Sequence, residues 1–299
     1  MLDFVDILLL KRVGPADDRT LTVRRIDGNS ESKVIYFLPW HTPVMLAQCV
    51  GLMPLDFLAC YEMPPAIVSS QPSLCLQAML GLVKDAERLL LTRGAKGRDV
   101  LIVGLSAGTY PATYLANRLG ARLFSVASAD RADLAFWESP ATRLIKQRAM
   151  RQGFGLKDYS EALRGSHPAE NLKGIAPNSV FVIGRRDPFI PACRQQRLSQ
   201  AIETHADRAQ IVEVDAGHFK TLVMSGSHQR AAARVDARPT GPGWSRGLLR
   251  AAGLAIQPQV NERLPAGQIP DPSAQLPARR RGPQVERGQP ATKVRPLDA

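Results

Sequence analysis

Two textures of hydrophobic spacing alternate along the chain. Short apolar runs at residues 4–10, 21–26, 34–38, 56–61, 100–103, 122–127, 179–184 and 210–214 are too short for ordinary helices and predict about eight β-strands. The first two are separated by Gly14-Pro15-Ala16-Asp17-Asp18, a turn signal, which predicts an opening antiparallel pair. Between the later runs lie segments with helical spacing. Ser73 is placed to cap a long helix reaching Leu91, in which Leu76, Met79, Leu80, Val83 and Leu90 mark one face. Residues 109–119 form a second helix, stopped by Gly120, and further helices are predicted at 191–205 and from His218 to about Met224. Alternation at this rhythm implies an α/β protein: a mostly parallel, twisted sheet covered by helices on both faces.

The pattern changes twice. From 130 to 172 it is helical and charged, opens with Phe136 and Trp137, and is broken by Gly153-Phe154-Gly155. That stretch is expected to form a small helical lid, the alternative being a plain surface helix. Ten of the 23 prolines fall after His228, together with Arg279-Arg280-Arg281. Residues 1–225 are therefore expected to form the folded domain, and 226–299 a basic, disordered tail with too little apolar surface to offset chain entropy.

Charge and cysteine content narrow the classes of function. The chain of 299 residues has a formal net charge of +12, but the residues from His228 onward hold 12 Lys+Arg against 5 Asp+Glu, so much of the excess belongs to the tail. The tail could grip nucleic acid or an anionic membrane; zinc-finger spacing, RNP-like aromatics and a helix-turn-helix pattern are all missing from the sequence. Cys49, Cys60, Cys75 and Cys193 lie in or beside apolar segments without C-x-x-C spacing and read as reduced thiols. The start of the chain has Asp3 and Asp6 where a secretory signal needs cations, and no apolar run is long enough to span a bilayer. A cytoplasmic location is expected.

The chemistry-bearing stretch is Gly104-Leu105-Ser106-Ala107-Gly108, set between a buried strand and a helix. G-x-S-x-G in that setting is a nucleophile elbow, a tight turn that lifts a serine hydroxyl above the sheet beside helix N-terminal amides. A serine hydroxyl needs a base within reach, and the base needs an acceptor that fixes its tautomer. Asp187 follows the strand at 179–184, and His218 follows the strand at 210–214. In a parallel sheet both ends lie on the elbow's edge, so Ser106, Asp187 and His218 can converge. Asp130, just past the strand after the elbow, and Asp215, close to His218, are alternative acids. His41, His167, His205 and His228 do not follow the last strand.

With G-L-S-A-G, G-R-R-D-P-F-I-P and D-A-G-H-F in this order, the sequence resembles the α/β-hydrolase family over residues 34–224. The resemblance implies Ser106 as nucleophile, His218 as general base and then acid, and Asp187 as the orienting carboxylate. It also implies an oxyanion hole: the Ala107 amide, and a second amide from the turn Pro39-Trp40-His41, from either Trp40 or His41. Family members often carry His-Gly at that turn, which this chain lacks. Trp40, Leu105, Phe136 and Trp137 are the expected pocket wall. The implied activity is cleavage of a small carboxylic ester, thioester or lactone through an acyl-enzyme, with neither metal nor organic cofactor. Acyl transfer by the same triad, and ligand or partner binding on an inactive hydrolase scaffold, are the alternatives.

Overall fold

A computed structural model of the chain describes residues 18–234. Among these residues seven strands form one sheet: β1 (Arg24–Asp27), β2 (Val34–Phe37), β3 (Ala59–Glu62), β4 (Leu101–Leu105), β5 (Arg122–Val126), β6 (Val180–Gly184) and β7 (Gln210–Val214). Their order is β1-β3-β2-β4-β5-β6-β7. β1 pairs antiparallel with β3 at one edge, and every other pairing is parallel. The expected eighth strand at 4–10, and residues 14–17 of the turn after it, lie outside the described residues.

Burial explains the strand sequences. β4, β5 and β6 are buried at every position, as central parallel strands with helices on both faces must be. Successive residues then divide between two cores with the period of a strand. Ile35, Phe37, Ile102, Leu123 and Phe181 pack with α2 (Pro72–Thr92), α3 (Thr109–Leu119) and α7 (Ala192–His205) on one face. Tyr36, Leu38, Val103, Leu105, Phe124 and Val182 pack with α1 (Val44–Cys49) and α8 (His218–Arg234) on the other.

Two helix boundaries differ from the sequence expectation. α2 begins at Pro72 with Gln71 as its N-cap, so Ser73 lies inside the first turn and does not cap. Proline's fixed φ and missing N–H suit that first position. α8 continues to Arg234, past Met224, because Ser225, Gly226, Gln229 and Ala232 are buried along its inner face. The helix thus takes up residues 226–234 of the expected tail; residues 235–299 lie outside the described part. α3 ends as expected, at Gly120 in the left-handed conformation (φ +61°).

Residues 130–172 hold three short helices, α4 (Ala132–Glu138), α5 (Arg143–Arg151) and α6 (Leu156–Ala162), joined by turns. Phe136 stacks on Tyr159 with ring centroids 4.5 Å apart, and Trp137 lies 5.6 Å from Tyr159, so this segment joins the core face of α2 and α3 through aromatic side chains. Among the described residues, no helix is long and apolar enough to cross a membrane.

Candidate active site

β2 leads away to β3 on one side, whereas β4 leads to β5 on the other, so the strand order reverses between β2 and β4. In open α/β sheets the crevice outside the carboxyl ends of such strands is the usual binding position. Ser106 leaves β4 at this point. β2 and β4 run in register through Phe37 and Gly104, so the Pro39-Trp40-His41 turn leaves the neighbouring strand at the same edge.

The local chain explains why Ser106 stands there. Its backbone has φ +52°, in the left-handed region that non-glycine residues avoid. A Cβ on Gly104 would lie 2.6 Å from the Ala112 Cβ, and one on Gly108 would lie 2.2 Å from the Phe37 carbonyl oxygen. Both glycines are therefore required for α3 to start directly above β2 and β4. The Thr109 hydroxyl donates to the Ser106 carbonyl at 2.6 Å and closes the turn.

Asp187 and His218 come from the next two strand exits, and hydrogen bonds tie these exits together. The Arg185 amide donates to the Val214 carbonyl at 2.9 Å, the Arg186 amide to the Ala216 carbonyl at 3.2 Å, and the Arg186 guanidinium to the Asp215 carbonyl at 2.6 Å. Asp187 Oδ1 accepts the Phe189 and Ile190 amides at 2.8 and 3.2 Å. Asp187 Oδ2 lies 2.6 Å from His218 Nδ1, and His218 Nε2 lies 2.8 Å from Ser106 Oγ. With the imidazole proton on Nδ1 facing the carboxylate, Nε2 is the acceptor for the serine hydroxyl. The Asp187 side chain is wholly buried, and the Phe189 ring meets the His218 imidazole edge to face at 4.9 Å.

The alternative acids have other partners. Asp215 is exposed and pairs with Arg186 at 2.8 Å. Asp130 is buried against Arg194 at 3.3 Å; burial holds its carboxyl above the usual range, although the Arg194 charge opposes this. His167 is buried beside Asp133, 3.6 Å away, and its Nδ1 has no hydrogen-bond partner.

The expected oxyanion and pocket residues divide. Ala107 follows Ser106 in the turn that opens α3, where the first amides have no intrahelical acceptor. In the facing turn the Thr42 amide donates to the Pro39 carbonyl at 3.2 Å, and His41 has φ +57°. His41 thus holds a backbone conformation that glycine adopts without steric penalty. The Trp40 and His41 rings lie 4.1 Å apart, and Trp40 Nε1 is buried without a hydrogen-bond partner. Phe136 and Trp40 belong to the core face that carries α2 and α3, whereas Leu105 is fully buried in the opposite core with α1 and α8. Trp137 lines a groove of about 490 Å³ with Pro140, Arg143, Lys146 and Met150; Ser106, Asp187 and His218 do not line it. Among the described residues, no three His, Cys, Asp or Glu side chains gather so as to hold a metal ion.

Some supporting residues were not visible in the sequence. Phe189 and Ile190 act through backbone amides, and Arg186 through a neighbouring loop. A carboxylate two and three residues before two amides, at a strand exit, is the one local signal that marks the first pair.

No family model and no curated protein sequence matches the chain. Solved structures do. An acylaminoacyl peptidase in complex with Z-Gly-Gly-Phe-chloromethyl ketone aligns at TM-score 0.50 and 12% identity, over 76% of this chain and 41% of the peptidase. This chain thus spans less than half of that protein's length. TT1662 from Thermus thermophilus aligns at TM-score 0.47 and 15% identity, over 73% of this chain and 94% of the other. MGS-M2, an alpha/beta hydrolase enzyme from a Medee basin deep-sea metagenome library, aligns at 0.47 and 14%, over 74% and 96%. Sheet order, the antiparallel edge strand β1, the elbow after β4 and the peptidase alignment agree: the chain has the α/β-hydrolase fold.

Proposed function

We propose that the protein is a serine hydrolase that cleaves a small carboxylic ester, thioester or lactone through an acyl-enzyme. The observation that carries this reading is the continuous relay from Ser106 Oγ through His218 to Asp187, at 2.8 and 2.6 Å. In the proposed reaction Ser106 Oγ attacks the acyl carbon while its proton passes to His218 Nε2. Asp187 stabilises the imidazolium. The negative oxygen of the tetrahedral intermediate is held by the Ala107 amide and by an amide of the Trp40-His41 turn. Collapse expels the alkoxide or thiolate, which takes the proton from Nε2. Water then attacks the acyl-enzyme, gives its proton to His218, and the acid leaves as Ser106 regains its hydrogen. An alcohol or amine in place of water would make the same steps an acyl transfer.

Turnover of short- and medium-chain p-nitrophenyl esters by the wild type and by Ser106→Ala tests the reading. Covalent labelling with a fluorophosphonate, followed by peptide mapping, gives the attachment site. Label on Ser106 and loss of turnover in the variant are expected. Labelling elsewhere, or undiminished turnover by Ser106→Ala, would overturn it and leave ligand binding on a hydrolase scaffold as the better account.

A further inference from the structure

The loop that carries Asp187 is held at both ends by one side chain that belongs to neither strand. Gln195 lies in the first turn of α7, buried, and its Nε2 donates to the Gly184 carbonyl at 3.0 Å and to the Ile190 carbonyl at 3.4 Å. Gly184 is the last residue of β6, and Ile190 ends the loop. A primary amide nitrogen has two protons, and both are spent here, one on each carbonyl.

Each of those two residues also touches Asp187. The Gly184 carbonyl accepts the Asp187 amide at 3.1 Å, and the Ile190 amide donates to Asp187 Oδ1 at 3.2 Å. Gln195 therefore fixes the two residues that fix the aspartate, one through its backbone and one through its carboxylate. The other carboxylate oxygen is then left to face His218 Nδ1 at 2.6 Å. α7 is itself anchored independently of the loop: the neighbouring Arg194 is buried against Asp130, and Leu198 and Ile202 lie in the core.

We infer that Gln195 is the positioning residue for the Asp187 carboxylate, acting on Ser106 through the orientation of His218. This rests on the serine-hydrolase reading. The function of such a residue is geometric, and misplacement of a catalytic group by about 1 Å is enough to cost on the order of 100-fold in rate.

The test is a cycle of variants assayed with a p-nitrophenyl ester. Gln195→Met keeps the length and removes both donors; Gln195→Glu keeps the shape and cannot donate when ionised. Each is expected to lower kcat by roughly 10- to 100-fold with KM nearly unchanged, since the groups that bind substrate are untouched. In an Asp187→Ala background, where there is no carboxylate to hold, the same substitutions should lower kcat no further. The His218 Nδ1 proton, followed by NMR in folded protein, should lose its strongly hydrogen-bonded, downfield position in Gln195→Glu and keep it in the wild type. Full kcat in both Gln195 variants, an equal loss with and without Asp187, or an unmoved proton resonance would overturn the inference. If Ser106→Ala and Asp187→Ala keep full turnover, the hydrolase reading itself has failed; if they lose it while the Gln195 variants do not, only the role of Gln195 has.

Discussion

The Tyr159 hydroxyl donates to the Ser69 carbonyl at 2.6 Å, joining helix α6 to the loop that leads into α2. Both groups are buried, and Ser69 is further held by the Cys75 thiol. Arg148 of α5 makes a second tie, to Asp18 at 2.8 Å. Tyr159→Phe keeps the stack on Phe136 and deletes only the hydroxyl. The loss of that bond, with a buried carbonyl left under-satisfied, is expected to cost about 1–2 kcal/mol. Thermal unfolding measures the cost, and trypsin cleavage within α5, which carries four cations, should quicken. Unchanged cleavage would mean that residues 130–172 are held without this bond.

The left-handed backbone of Ser106 sets its proposed catalytic role against stability. At φ +52° a side-chain-bearing residue is penalised by about 1 kcal/mol or more, a penalty that glycine escapes. Ser106→Gly and Ser106→Ala both lack the proposed nucleophile and are expected to lose ester turnover. Ser106→Gly should nonetheless unfold at higher denaturant concentration than Ser106→Ala, by about 1 kcal/mol in stability. Equal stabilities would show that the turn is not strained.

The glycines around that serine differ from Gly155, which precedes α6. An added methyl at Gly108 meets the Phe37 carbonyl at 2.2 Å, which is backbone in the middle of the sheet and cannot step aside. Gly108→Ala is expected to cost about 3 kcal/mol or more and to abolish activity. At Gly155 the nearest atom would lie 3.7 Å away, with an ordinary backbone. Gly155→Ala is therefore the control, expected to unfold within about 0.5 kcal/mol of the wild type by urea titration.

What the sequence made legible follows from the range of each signal. Ser106, Asp187 and His218 each stand just after an apolar run, and a parallel sheet delivers all such positions to one edge, so their convergence needed only the strand order. Which core a strand residue serves depends on register and on which helices cover which face. That is why Leu105 could be expected in the pocket although it points into the opposite core. The end of α8 was hidden for a related reason: Gln229 is polar in sequence, but its amide donates to the Leu52 carbonyl and accepts from the Tyr36 hydroxyl, partners some 180 residues away. Gln195 escaped notice because both of its acceptors are backbone carbonyls, which no residue pattern records.

Arg194 offers a test in which pH decides the outcome. It is buried and lies between Asp130, at 3.3 Å, and Glu138, at 3.2 Å, so one guanidinium joins the exit of β5, α7 and α4. Removing one partner of a buried pair leaves the other charge uncompensated, which is expected to cost about 3–5 kcal/mol at neutral pH. Asp130 can escape that penalty by taking up a proton. Burial already holds its carboxyl above the ordinary range in the presence of Arg194, and without the arginine its folded value should rise further. A carboxyl raised in the folded state is fully compatible with folding below its unfolded value, near 4, where both states are protonated. As pH rises toward the folded value, the unfolded state releases its proton more readily and stability is lost. Arg194→Met should therefore be close to wild type at about pH 4 and fall progressively behind toward neutrality. Arg194→Met with Asp130→Asn removes the titrating group and should flatten that dependence while recovering part of the loss. Thermal unfolding of the three proteins between about pH 4 and pH 8 checks this; a pH-independent deficit in Arg194→Met would place the cost in lost packing of the guanidinium stem instead of in the Asp130 charge.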